Sequence, residues 1–161
     1  MKYEFKKNDI DSYSLIYTSK EKKEVKKDFK RTIEMAGFLQ GITARARVKL
    51  GNSLSSMGMT KDNLMVKKDL GNGKVVYDET NYNNTLQGFI EEESLESCNS
   101  LIEKSFGMNI IDLFKDMGVN VEEGNIDQEI QNQISLFVQK FTSIIKGEEK
   151  EKIPSEKPTE N

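Results

Sequence analysis

The sequence predicts a mainly helical α+β chain: a helical domain carrying one β-hairpin around residues 65–77, with an N-terminal strand in addition. Three observations lead there. Apolar residues recur at spacings of three and four through most of the chain. A glycine-rich turn interrupts that pattern between two short β-prone runs. The last residues, from Gly147 onward, hold almost nothing to bury.

With 161 residues, 35% of them hydrophobic and 32% charged, the chain suits one domain, expected over 1–146, followed by a disordered tail over 147–161. The net charge of -3 hides a division. Residues 1–69 carry 16 Lys/Arg against 9 Asp/Glu, and the rest, 70–146 and the tail, carry 8 against 18. A basic part and an acidic part of opposite sign can attract each other or face different partners. No run approaches the roughly 20 apolar residues of a membrane span, the start lacks a secretory signal, and Cys98 is the only cysteine, so a reducing, cytoplasmic location is expected. The Lys-, Asn- and Ile-rich composition suits an AT-rich bacterium or its phage.

Along the chain, Tyr13–Thr18 (YSLIYT) is rich in β-formers and reads as a strand. Thr18 and Glu21 then have capping-box spacing, and Val25, Phe29, Ile33 and Ala36 follow at steps of three or four, which predicts an amphipathic, strongly basic helix. Gly37 and Gly41 predict a break, with a second helix through Ile42, Val48 and Leu54. Gly58 ends it, and Thr60 caps a short helical turn with Leu64 and Met65. Leu70-Gly71-Asn72-Gly73-Lys74 is a hairpin turn between Met65-Val66 and Val75-Val76-Tyr77, because Asn and Gly tolerate positive φ.

Beyond Thr80 the chain turns acidic and helical, with Leu86, Phe89 and Ile90 in one segment and Leu95, Cys98, Leu101, Ile102 and Phe106 in the next, stopped by Gly107. Ile110 to Met117 reads as a short helix with Gly118 as its left-handed cap. Asn125 caps a last helix, where Ile130, Ile134, Phe137, Phe141 and Ile144 form a stripe suited to packing along another helix.

For chemistry, the absence of histidine removes His-based nucleophilic systems, His general bases and His ligands together. With one cysteine as well, no zinc site is expected, and Cys98 on an apolar stripe is expected to be buried and inert. The acidic groups at Glu91–Glu93 and at Glu122, Glu123 and Asp127 lack the alternation of a calcium loop and read as solvated faces. No cofactor, metal site or catalytic residue is assigned, and the chain is expected not to be an enzyme.

Two surfaces remain. The C-terminal stripe Ile130, Ile134, Phe137, Phe141 and Ile144 is the candidate for binding a protein partner or a second copy, against the plainer reading that it closes the core. The preferred function is a non-enzymatic helical binding factor: an adaptor, assembly chaperone or inhibitor. The alternative is DNA binding through a winged-helix-like N-terminal part, in which Lys22, Lys23, Lys26, Lys27, Lys30, Arg31, Arg45, Arg47 and Lys49 meet phosphates and the C-terminal helix dimerises. Against it stand Glu21, Glu24, Asp28 and Glu34, interleaved with the lysines.

Overall fold

The computed structural model describes residues 2–122 and 126–148. In chain order these form strands β1 (Tyr3–Lys7), β2 (Ser12–Thr18) and β3 (Glu24–Lys30), then helices α1 (Ile33–Gln40) and α2 (Ile42–Ser56). A 3₁₀ turn (Lys61–Leu64) leads into strands β4 (Val66–Gly71) and β5 (Lys74–Asp78). Helices α3 (Thr80–Phe106), α4 (Ile110–Asp116) and α5 (Gln128–Lys146) complete the set. The chain divides into two compact units, one of Met1–Leu39 with Cys98–Asn161 and one of Gln40–Ser97. The division does not follow the charge boundary at residue 69: Gln40–Ser97 carries seven Lys/Arg and eight Asp/Glu, so the opposed halves of the sequence do not become two opposed bodies.

The first unit is built on an antiparallel sheet in the order β1-β2-β3. Its register sets Tyr3 opposite Tyr17, Phe5 opposite Leu15, Tyr13 opposite Phe29 and Tyr17 opposite Val25. One pleat face is therefore aromatic and aliphatic, and Tyr13, Leu15, Tyr17 and Phe29 on it are buried. The expected strand at Tyr13–Thr18 is there, in the centre of the sheet. The expected basic helix after Thr18 is not, because Glu24–Lys30 is strand β3. Val25 and Phe29 are four residues apart, a spacing that shares a face both in a helix and in a strand. A turn through Lys22, at φ 64°, joins β2 to β3, and in it the Ser19 hydroxyl accepts from the backbone N–H groups of Glu21 and Lys23. The basic helix expected to open a winged-helix-like part is therefore absent, although α1, α2, the 3₁₀ turn and the hairpin still follow one another along the chain.

Helix α1 begins after Thr32, whose hydroxyl accepts from the Met35 N–H at 3.1 Å, and ends before Gly41, close to the predicted break. Asn109 caps α4 by accepting from the Asp112 N–H, and Asp127 caps α5 by accepting from the Ile130 N–H. Asn125, the expected cap of α5, lies outside the described residues, as does the expected tail beyond Glu148. Gly147, at φ 74°, ends α5 in the left-handed conformation that favours glycine.

The core of this unit is a chain of rings. Phe29 sits 5.1 Å from Phe106, Phe106 sits 5.4 Å from Phe141, and Phe114 sits 5.8 Å from Phe137, in edge-on or tilted contacts. Leu113, Phe114, Phe137 and Phe141 have no exposed surface. Tyr17 donates a short hydrogen bond to the Asp116 carboxylate, and both burial and that carboxylate push its phenol pKa up.

The second unit has a smaller, aliphatic core of Ala46, Leu50, Leu54 and Leu86, with Met59, Leu64, Tyr82, Phe89 and Ile90 partly buried against it. On α2 the stripe runs through Ala46, Leu50 and Leu54, and Val48 points to solvent. The 3₁₀ turn starts at Thr60 as predicted, with the Asn63 side chain accepting from the Thr60 N–H at 2.7 Å. The two helical segments expected after Thr80 are one continuous helix of 27 residues, which carries Gly88 without a break.

Candidate partner-binding surface

The predicted hairpin is present, and its turn is what its sequence demands: Gly71 at φ 82°, Asn72 at φ 54° and Gly73 at φ 76°, three successive positive values. Val66 pairs with Asp78, Lys67 with Tyr77, Lys68 with Val76 and Asp69 with Val75, with a register shift before Gly71. Every residue of β4 is exposed, and so are the first four of β5. Val66, Leu70, Val75, Val76 and Tyr77 leave 45%, 62%, 41%, 43% and 60% of their surface in solvent. A two-stranded sheet has two open edges, and its apolar side chains occupy both of its faces. Lys68 pairs with Asp78 at 3.0 Å on one of them, and Asp78 also accepts from the N–H and hydroxyl of Thr80, so its pKa is held far below the usual carboxylate range.

The stripe predicted on the C-terminal helix faces inward for much of its length. Phe137, Phe141 and Ile144 are buried in the first unit's core, and Ile130 and Ile134 are half-buried. The plainer reading of the stripe, closure of the core, is where these side chains sit. Leu136, 49% exposed, is the large apolar side chain that α5 leaves outside.

The predicted basic set is scattered. Lys22 and Lys23 lie in the β2–β3 turn, and Lys26, Lys27 and Lys30 lie on β3. Lys26 and Lys30 share the outer sheet face with Lys6, but Glu4, Glu24 and Asp28 lie on the same face, so its formal charge cancels. In the middle of that face Ser14 donates to Asp28 at 2.5 Å and accepts from the Asn8 amide at 2.7 Å. Arg31 is held at 3.0 Å from Asp11 and also donates to the carbonyls of Ile10 and Ile144.

Arg45 and Lys49 grip a buried carboxylate within the second unit. Glu93, 5% exposed, lies 2.9 Å from the Arg45 guanidinium and 2.5 Å from the Lys49 ammonium, and Ser97 donates to it at 2.9 Å. Lys49 and Arg45 hold the Glu93 pKa down at about 2, and Glu96, 2.7 Å away, adds to the raised pKa of Lys49. This cluster ties α2 to α3 rather than offering charge outward. Of the nine predicted cations, Arg31, Arg45 and Lys49 are engaged by carboxylates, Lys23 lies 4.0 Å from Glu21 in the exposed turn, and Lys22, Lys26, Lys27, Lys30 and Arg47 remain.

Cys98 is buried, and burial pushes its thiol pKa up, which suppresses the thiolate needed for reactivity. Among the described residues no three His, Cys, Asp or Glu side chains converge as a metal site requires, and no helix is long and apolar enough to cross a membrane.

Comparison with protein families, with curated proteins and with solved structures finds no match to this chain. The residues the sequence reading missed are therefore to be weighed on chemistry alone. They are the hairpin's own Val66, Leu70, Val75, Val76 and Tyr77. Their signal was an absence of clean alternation: strands read as VKKDL and KVVYD put apolar groups on both faces, which a strand with one buried face does not do.

Proposed function

We propose that this chain is a non-enzymatic binding factor, an adaptor, assembly chaperone or inhibitor, and that it engages a protein partner through the β4–β5 hairpin. The observation that carries the reading is the exposure of five large apolar side chains on an arm with two open edges. An isolated two-stranded hairpin is marginal in water, and exposed edges with apolar groups are the usual substrate for strand addition by another chain. The absence of histidine and the buried Cys98 support a role by surface complementarity. One cysteine, kept as a thiol, suits action in the cytoplasm.

The DNA-binding reading keeps Lys22, Lys23, Lys26, Lys27, Lys30 and Arg47, but the acidic residues on the same sheet face oppose a phosphate backbone. Affinity capture from the native host separates the two. The wild type is compared with a Val66→Thr/Leu70→Ser/Tyr77→Ser variant of unchanged circular dichroism. Loss of a specific protein partner from the variant is expected. Equal recovery of that partner by both forms would remove the hairpin from the proposal, and recovery of DNA that depends on Lys26 and Lys30 would favour the alternative.

A further inference from the structure

A second copy of this chain has the chemistry to meet the hairpin surface. The outer edge of β5 bears no strand among the described residues, so its N–H and C=O groups on that side are available to another strand. The strand reads Lys74-Val75-Val76-Tyr77-Asp78. Laid antiparallel against itself about Val76, it sets Lys74 opposite Asp78 of a second copy, Val75 opposite Tyr77, and Val76 opposite Val76. Opposite charges then close both ends, and β-branched and aromatic side chains meet between them, the pairs that stabilise antiparallel strands. Lys74 has no ion-pair partner among the described residues, and Asp78, which already pairs with Lys68 of its own hairpin at 3.0 Å, would be shared between two lysines.

Strand β4, the other open edge, behaves differently. Val66-Lys67-Lys68-Asp69-Leu70, laid against itself about its centre, sets Lys68 opposite Lys68 between two Lys67–Asp69 pairs, and the two-fold registers about Lys67 or Asp69 likewise set a charge opposite its own copy. Like charges directly opposite destabilise such a pair. The contrast selects one edge out of two.

The alternation of faces agrees with this choice. Val75 and Tyr77 point to the same side of the hairpin, so two-fold pairing gathers two copies of each into one apolar patch. On the other side the two Val76 side chains meet, flanked by the charge pairs. A contact in which residue i meets j and j meets i closes on itself and stops at two copies.

We infer that this protein forms a two-fold dimer in which β5 pairs antiparallel with β5 of a second copy, in register about Val76, giving a continuous four-stranded sheet in the order β4-β5-β5-β4. This rests on the reading of the hairpin as a binding surface and names a second copy of the chain as its occupant.

Light scattering coupled to size exclusion, over a concentration series, tests it on the full chain. The wild type is expected to pass reversibly from the 18.4 kDa chain to twice that mass. Lys74→Asp places acids opposite one another at both ends, and Asp78→Lys places lysines there, so each alone is expected to weaken the dimer by at least roughly tenfold. An equimolar mixture of the two restores both opposite-charge pairs and is expected to recover the dimer. Because Asp78 also caps the start of α3, the same cross is run with Val76→Lys and Val76→Glu, which leave that cap intact. Each is expected to be monomeric alone and dimeric when mixed.

A wild type that stays monomeric at high micromolar concentration overturns the self-pairing. So does a Lys74→Asp protein that dimerises as the wild type does, or a Val76 mixture that does not recover. If the wild type is monomeric while capture of a different protein still depends on the hairpin, the dimer fails and the binding reading stands. If neither readout responds to hairpin changes, both fail.

Discussion

Phe106, Phe114, Phe137 and Phe141 in the first unit and Val66, Val75, Val76 and Tyr77 in the second are all large apolar side chains, yet the rings are sealed and the hairpin is bathed in solvent. What separates them is the number of layers around them. The aromatic side of β1-β2-β3 has rings of α3 and α5 to pack against, with Phe114 of α4 against Phe137, so each ring buried there gains both transfer energy and dispersion contacts. The β4–β5 arm is one layer thick, and neither of its faces has a buried side chain. Apolar content brings a residue into the core only where a second layer is present, and where it is absent the same side chains stay in solvent.

Truncation sharpens this difference most strongly at its buried end. Phe141→Ala should cost about 3–5 kcal/mol in urea unfolding, since it opens a cavity beside Phe29 and Phe106. Leu50→Ala, in the smaller core of the second unit, should cost about 2–4 kcal/mol in the same experiment.

Glu93→Gln should cost less, about 1–2 kcal/mol, because Arg45 and Lys49 are each a third or more exposed and recover hydration when the charge is lost. Its pH dependence is the sharper readout. The carboxyl is held near 2 in the folded chain, below its ordinary value of 4.5, so its contribution is complete above about pH 4.5 and disappears as the pH falls towards 2. The Gln variant should lack that component of acid sensitivity. An unchanged acid profile would show that the Arg45–Glu93–Lys49 cluster does not stabilise the fold. Val76→Thr, on the arm, should change stability by less than about 0.5 kcal/mol. A cost above 1 kcal/mol would place Val76 in a core and break the distinction between the two regions.

Much of the architecture was legible because local chemistry and tertiary context agree. Asn72-Gly73 demands positive φ, Thr60 with Asn63 closes a capping box, and Gly107, Gly118 and Gly147 stop helices in the left-handed region. The first sheet was half legible. Ser12–Thr18 announces itself with Tyr, Ile and Leu, but β3 reads EVKKDFK, whose two apolar residues fit a helix as well as a strand. Only pairing with β2 decides between them, and pairing is not a local property. The candidate surface was harder to see for the same reason. The spacing of Phe137, Phe141 and Ile144 shows that they share a face, while whether that face meets solvent or the aromatic side of a sheet depends on β1 and β3. The engagement of two of the cations was not legible either, because Glu93 lies more than 40 residues from Arg45 and Lys49 in sequence and meets them only across α2 and α3.

Hydrogen–deuterium exchange on dilute protein, read by mass spectrometry, tests the contrast between the two regions most directly. Amides of Tyr13–Tyr17 and of Phe137–Ile145 are expected to exchange slowly, and those of Lys67–Tyr77 at least roughly 100-fold faster, with protection of β5 gained only as concentration rises. Equal protection of the hairpin and of β2 in the dilute chain would mean that the arm is covered by its own fold, and would contradict the claim that it is a surface kept open for another chain.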